Sequence, residues 1–182
     1  MKYQLNTKMT DEDYYKYNIF MNFKSWYGKK QMVKIAIMTG VIFLIYAAIV
    51  LVSDGINQDA FIRMATMLAV FVAWIFLFFI LLRLILKWRM KSMKKSGKLL
   101  YSPTALIEFY DDCFVETTEV NKTENKYSAI DRISVIQKEC TVYIHINAIL
   151  AHIIPFGTFD SKEKLDEFVE FIKTKCDRVD FY

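Results

Sequence analysis

The residues able to do chemistry are few. His145 and His152 are the only histidines, and Cys113, Cys140 and Cys176 are the only cysteines. The two imidazoles fall on what read as neighbouring strands, so they can approach one another. Without an evident third ligand they make a poor metal site, because even catalytic zinc takes three protein donors. His145 alternates with Ile144 and is expected on the solvent face of its strand. The cysteines show no Cys-x-x-Cys spacing. They read as half-buried small apolar residues, kept reduced in a cytosolic domain. Asp111 and Asp112 offer paired carboxylates, yet between two strand-like runs they read as turn residues. Glu116 and Glu119 lie among Thr117 and Thr118 with no base–nucleophile pair. No nucleophile elbow, phosphate loop or dinucleotide fingerprint occurs. The expectation is therefore no catalytic residue, no metal, no cofactor and no enzyme.

What the sequence does concentrate is positive charge beside aromatic residues, at two places. Lys29, Lys30 and Lys34 follow Trp26 and Tyr27. Lys87, Trp88, Arg89, Lys91, Lys94, Lys95 and Lys98 form the second cluster, with Met90 and Met93 interleaved. Each cluster flanks an uncharged apolar run: 18 residues at Ile35–Val52 and 19 at Met64–Leu82. As helices these runs are about 27–29 Å long, the thickness of a bilayer hydrocarbon core. Neither carries the polar stripe of a buried soluble helix. A polar stretch precedes the first run and no small-residue cleavage site follows it, so a signal peptide is not expected. The short loop at 53–63, with Asp54, Gly55, Asn57 and Asp59, joins the two as an antiparallel hairpin. The lysine and arginine excess puts both termini in the cytoplasm and the loop outside, in a multi-pass cell-membrane protein. The basic residues are expected to contact anionic headgroups, at about 1 kcal/mol each near the surface. The spans lack the ionisable groups that a transport path needs. Ala65, Ala69 and Ala73 recur every fourth residue, and Ala36 and Gly40 form a shorter pair. Such small faces let helices approach closely. Packing within the hairpin is expected, with a homodimer face as the alternative.

The rest of the chain must be built around that hairpin. In the N-terminal segment, 1–31, the alternating Lys2-Tyr3-Gln4-Leu5 permits an extra strand in the C-terminal sheet. Thr10 with Asp13 forms a capping box. Tyr15, Ile19, Phe23 and Trp26 then mark an amphipathic helix running to Tyr27 and ending near Gly28. It is expected either at the membrane surface or packed on the soluble domain. Residues 99–182 hold 9 Lys+Arg against 15 Asp+Glu, a net of −6, while the first 98 are net +10. A domain of this sign is not a nucleic-acid binder. Strands are predicted at 104–110, 113–120, 124–128, 133–137, 141–146 and 149–154, with turns at Asp111-Asp112 and Asn121-Lys122-Thr123. A helix capped by Asp160, with Glu163 at the capping-box position, follows and buries Leu165, Phe168, Val169 and Ile172. The fold class is thus a membrane α-helical hairpin, 32–90, plus an α+β cytoplasmic domain. That domain is a small antiparallel sheet or barrel capped by one C-terminal helix.

The order of parts resembles a known family. Tyr3-Gln4-Leu5-Asn6 and Thr10-Asp11-Glu12-Asp13-Tyr14 precede the two spans. Ile107-Glu108-Phe109-Tyr110-Asp111-Asp112, Tyr127-Ser128-Ala129-Ile130-Asp131-Arg132-Ile133 and Val142-Tyr143-Ile144-His145-Ile146 follow. Ile153-Ile154-Pro155, Phe159 and Leu165-Asp166-Glu167-Phe168 close the series. Across nearly the whole chain this pattern is similar to the YcxB-like family of small bacterial membrane proteins. The resemblance implies two transmembrane helices, a pleckstrin-homology-like (PH-like) cytoplasmic domain and no catalytic residues. Where such proteins often carry basic residues after the Ile-Pro pair, this chain has Phe156 and Gly157. The expected function is a membrane-anchored interaction or sensing module with the lipid bilayer, and a protein partner or second copy, as its contacts. Lipid or small-ligand binding and a transporter accessory subunit are the alternatives.

Overall fold

The computed structural model describes residues 3–97, 99, 101–148 and 150–182. Lys2, Lys98 and Ile149, and the side chain of Asp54, which carry parts of the sequence expectations, lie outside the described residues. The chain divides into two compact units, Met1–Tyr17 with Ser96–Tyr182, and Asn18–Lys95. The N-terminal segment expected at 1–31 is therefore not a region of its own. It is divided between the two units.

In the first unit, β1 (Tyr3–Lys8), β2 (Thr104–Phe109), β3 (Cys113–Thr118) and β4 (Lys122–Lys126) form one sheet in that order. The permitted N-terminal strand does join: Tyr3 pairs with Phe109 and Lys8 with Thr104, antiparallel. The entire hairpin is thus an insertion in the connection between two adjacent strands. Tyr3, Leu5, Ile107, Phe109 and Phe114 alternate onto the inner face and join the core. The turn expected at Asn121-Lys122-Thr123 lies earlier, at Glu119–Asn121, and β4 already begins at Lys122. Asp111-Asp112 is an exposed turn, as read from its residues.

The second sheet has the order β7-β6-β5-β8, from β5 (Arg132–Ile136), β6 (Thr141–His145), β7 (Ala151–Ile154) and β8 (Val179–Phe181). Here the purely antiparallel expectation fails. The chain continues past its last helix, and β8 pairs parallel with β5, Ser134 opposite Asp180. Arg132 and Asp180 form an ion pair on these two strands. The helix α4 (Lys162–Lys173) buries the expected Leu165, Phe168, Val169 and Ile172. Its N-cap is Ser161 rather than Asp160: Ser161 Oγ accepts from Lys164 N at 3.3 Å, and the Asp160 carboxylate pairs with Lys164. Phe168 sits among Tyr3, Phe109 and Phe159, with ring centroids 5.1–5.7 Å away. The N-terminal strand and the C-terminal helix therefore share one core.

The helix α1 (Asp11–Ile19) starts with the expected capping box. Asp13 N donates to Thr10 Oγ1 at 3.2 Å, and Thr10 N donates back to Asp13 Oδ2 at 2.9 Å. Of the two places expected for this segment, its first part packs on the first unit. Tyr17 is buried against Tyr143 at 5.1 Å, Tyr14 stacks on Tyr101 at 5.2 Å, and Tyr101 Oη donates to Asp11 Oδ1 at 2.6 Å. The tightly packed residue is thus Tyr17, not one of the expected set Tyr15, Ile19, Phe23 and Trp26.

In the second unit the expected single helix to Tyr27 is interrupted. A π-helical turn occupies Phe20–Lys24, and Ser25 restarts the chain as the N-cap of α2 (Trp26–Asp54). Ser25 Oγ accepts from Gly28 N at 2.9 Å and donates to Met21 O at 2.8 Å. Gly28 does not end a helix. A Cβ there would fall 2.4 Å from Met21 O, so the tight elbow requires a residue without one. Gly55, at φ 71°, turns the chain toward α3 (Gln58–Lys95), where Asn57 Oδ1 accepts from Ala60 N at 2.8 Å. Both helices are long and apolar enough to cross a membrane, and the most apolar stretch of α3 has no buried residue.

Candidate functional site: a basic collar and two imidazole clusters

The basic residues expected at a membrane surface fall on the ends of the two long helices. Lys29, Lys30 and Lys34 are exposed on the first turns of α2. Lys30 Nζ stands 4.9 Å above the Trp26 ring, a cation–π contact that binds the aromatic and the charge into one patch. On α3 the helix runs on well past the apolar stretch, and Lys87, Trp88, Arg89, Lys91, Lys94 and Lys95 are all exposed on it. At 3.6 residues per turn, Arg83, Lys87, Lys91 and Lys94 share one face, while Leu86, Met90 and Met93 share another that is half-buried. The cluster is thus a helical stripe rather than a loop. Cations in the last turn also suit the negative end of the helix dipole.

The small residues do not pack the hairpin together. Ala36, Gly40, Ala65, Ala69 and Ala73 are all exposed, and a Cβ built on Gly40 meets nothing within 4 Å. The packing expected at these positions is replaced by a seam of bulkier residues. Met32, Thr39, Phe43 and Tyr46 are half-buried on α2, with Met64, Met67, Phe71 and Leu82 on α3. Val50 and Ala60 are the buried positions near the loop. Spacings of three and four place these residues on one stripe of each helix. Small-residue spacing marks where two helices are able to approach, and here another face of each helix is used.

The histidines lie on adjacent strands, yet on opposite faces. Ile144 pairs with His152, and His145 with Ala151, so the two rings are one register step apart across the sheet plane. His145 was expected to face solvent. It is instead fully buried, with Nε2 3.0 Å from Ser134 Oγ and its ring beside Tyr143. Burial, reinforced by the nearby Arg132 guanidinium, lowers its pKa to about 4, so it is neutral at physiological pH. The alternation rule misplaces it because α1 covers the neighbouring Tyr143 on this outer face, which an isolated strand pattern does not reveal.

His152 points inward, across the gap between the edge strands β4 and β7. Its Nδ1 lies 2.8 Å from Glu116 Oε2 and its Nε2 lies 3.1 Å from Asn125 Nδ2. With the Asn125 amide donating to Nε2, Nδ1–H donates to the Glu116 carboxylate. The ring meets Phe114 edge-on at 5.0 Å. This cluster joins the two sheets by side chains where, among the described residues, no backbone ladder does. The signal that would have revealed it is phase: Glu116 occupies the same face of β3 as the core residue Phe114. Cys113, Cys140 and Cys176 are half-buried free thiols, as expected. Among the described residues no group of three or more His, Cys, Asp or Glu could hold a metal ion. An open groove of about 310 Å³ lies where Leu99, Tyr101 and Pro103 meet Glu119 and Val120.

No family model, curated protein or solved structure matches the chain.

Proposed function

We propose that this protein is a membrane-anchored interaction or sensing module. The observation that carries the reading is the contrast in burial. α2 and α3 expose large apolar residues along their whole length, Phe76 at 67% and Leu44 at 67% among them, while the other unit closes its own core. Two helices of this length with outward apolar faces are stable in lipid and costly in water. The basic collar then belongs at the cytoplasmic face, with both termini inside and the three-residue link Gly55–Asn57 outside. The soluble unit, two sheets with a helix against their shared core, supports a PH-like reading and with it the resemblance to the YcxB-like family. On this reading it acts by contact, not catalysis: its inward imidazole, His152, commits both ring nitrogens to Glu116 and Asn125. A protein partner, or a second copy held through the exposed Ala65, Ala69 and Ala73 face, is the contact expected.

Sided labelling tests it. In intact bacterial cells an Ile56→Cys variant is expected to react with an impermeant maleimide. The native Cys113, Cys140 and Cys176 are expected to react only after lysis in denaturant. Release of the chain by alkaline carbonate, or labelling of the native thiols in intact cells, overturns the proposal.

A further inference from the structure

The β1-β2-β3-β4 meander fixes which connections share an end. In an antiparallel meander the first and third connections lie together and the second lies opposite. The register agrees: Lys8 pairs with Thr104 and Ala105 with Thr118 at one end, while the Asp111-Asp112 turn lies beyond the Phe109–Phe114 pair at the other. The first connection is the whole apolar hairpin. Its two strands leave the sheet side by side, held by a hydrogen bond from Met9 N to Pro103 O at 2.8 Å.

The third connection, at the same end, is the Glu119–Asn121 turn. It carries Val120, which is 90% exposed. The turn is closed on itself. Thr118 N donates to Asn121 O at 2.8 Å, and Asn121 N donates to Thr118 Oγ1 at 3.0 Å. The isopropyl group is therefore held away from the body of the sheet by a braced turn. Val120 lines the same groove as Leu99, which follows shortly after the basic end of α3. Lys8 and Lys122, both exposed, flank this end. The opposite end of the sheet presents two exposed carboxylates, Asp111 and Asp112. That far end also carries Lys126, opposite Cys113, and Lys175 Nζ, which donates to Asp111 O at 2.6 Å; what distinguishes the hairpin end is its exposed apolar tip between two lysines.

We infer that Val120, with Leu99 beside it and Lys8 and Lys122 around it, is a lipid-contact tip that seats this end of the soluble unit on an anionic bilayer surface. The inference rests on the reading of α2 and α3 as membrane spans. One valine is too small a contact to recruit a free protein. Here the covalent connection through 96–103 supplies the effective concentration that a single side chain lacks. Those eight residues reach no more than about 28 Å fully extended. Glu119 on the same turn limits the depth, keeping the tip at headgroup level rather than in the hydrocarbon.

The test uses the full chain, with its three native cysteines changed to Ser, in nanodiscs of phosphatidylcholine and phosphatidylglycerol. An environment-sensitive fluorophore is placed at Val120→Cys, Asp112→Cys or Leu77→Cys. The expected result is a blue shift at position 120 and loss of its emission to nitroxide carried on the lipid headgroup, with neither at position 112. Position 77 reports the spans alone, through quenching by acyl-chain nitroxide. Quenching at 77 without any at 120 overturns the tip and leaves the membrane reading standing. No quenching at 77 overturns both. A shift at 120 that appears only with two chains per disc overturns the lipid assignment in favour of a second copy.

Discussion

The two units use the same kinds of residue in opposite directions. In the hairpin, large apolar side chains stand exposed on every side but the narrow seam between α2 and α3, and Phe76 is 67% exposed. In the soluble unit Phe168 is fully buried, because strand alternation and the three-and-four spacing of α4 choose one face for the core. Periodicity, not hydrophobic content, separates the two units: the long helices leave their apolar residues exposed, and the other unit buries them. The same contrast holds for charge. The hairpin carries its cations in exposed collars, whereas the soluble unit draws polar groups, His145, Ser134 and His152, into buried contacts.

Four changes probe that contrast, from the largest effect to the smallest. Phe168→Ala removes a ring packed among Tyr3, Phe109 and Phe159, and is expected to destabilise the soluble unit by about 3–5 kcal/mol. Phe76→Ala in the hairpin is expected to cost far less. Denaturant titration followed by near-ultraviolet circular dichroism in lipid nanodiscs compares the two, and equal losses would erase the distinction.

The second change is in pH. His145 has its folded pKa lowered to about 4 from an ordinary value near 6.5, so the unfolded chain binds its proton first. Its contribution is present above pH 6.5 and is lost as pH falls toward 4, by on the order of 3 kcal/mol in total. His145→Asn is expected to flatten this part of the stability profile. An unchanged slope would assign the acid sensitivity to other groups.

Third, Gly28→Ala drives a Cβ into the Met21 and Asn22 backbone, and an overpacking cost of about 1–3 kcal/mol is expected at the elbow. Thermal unfolding of the hairpin in detergent, followed by helical circular dichroism, reads it. Fourth, Gly40→Ala meets nothing and replaces a poor helix former with the best one, so it is expected to stabilise α2 by up to about 1 kcal/mol. The same measurement then gives opposite signs for two glycines of one helix. A destabilised Gly40 variant would instead show that a neighbouring helix needs that face.

The legible parts of the fold were those written in local periodicity. The apolar runs became α2 and α3, Thr10 and Asp13 formed their capping box, and Leu165, Phe168, Val169 and Ile172 were the buried stripe of α4. The strand edges mostly shifted by a residue or two, because pairing partners set where a ladder stops. The less legible parts depended on a surface that local pattern does not contain. Ser161 rather than Asp160 caps α4, while the Asp160 carboxylate is paired with Lys164. The Phe20–Lys24 turn and Ser25 split one amphipathic pattern into two helices. Of the candidate site, the positions of the lysines were plain, but their alignment as a stripe followed from α3 continuing unbroken to Lys95.

By itself, then, the sequence determined what each segment is made of: two long uncharged apolar runs, basic ends, an acidic sheet-forming region and one amphipathic closing helix. Such properties follow from residues within a few positions of one another. The tertiary structure alone decided that β1 pairs with β2 across the entire hairpin, that β8 returns parallel to β5, that His145 is covered, and that the alanine faces stay open. Each of these depends on which distant surface arrives to pair with or cover a residue, and a one-dimensional pattern carries no record of that arrival.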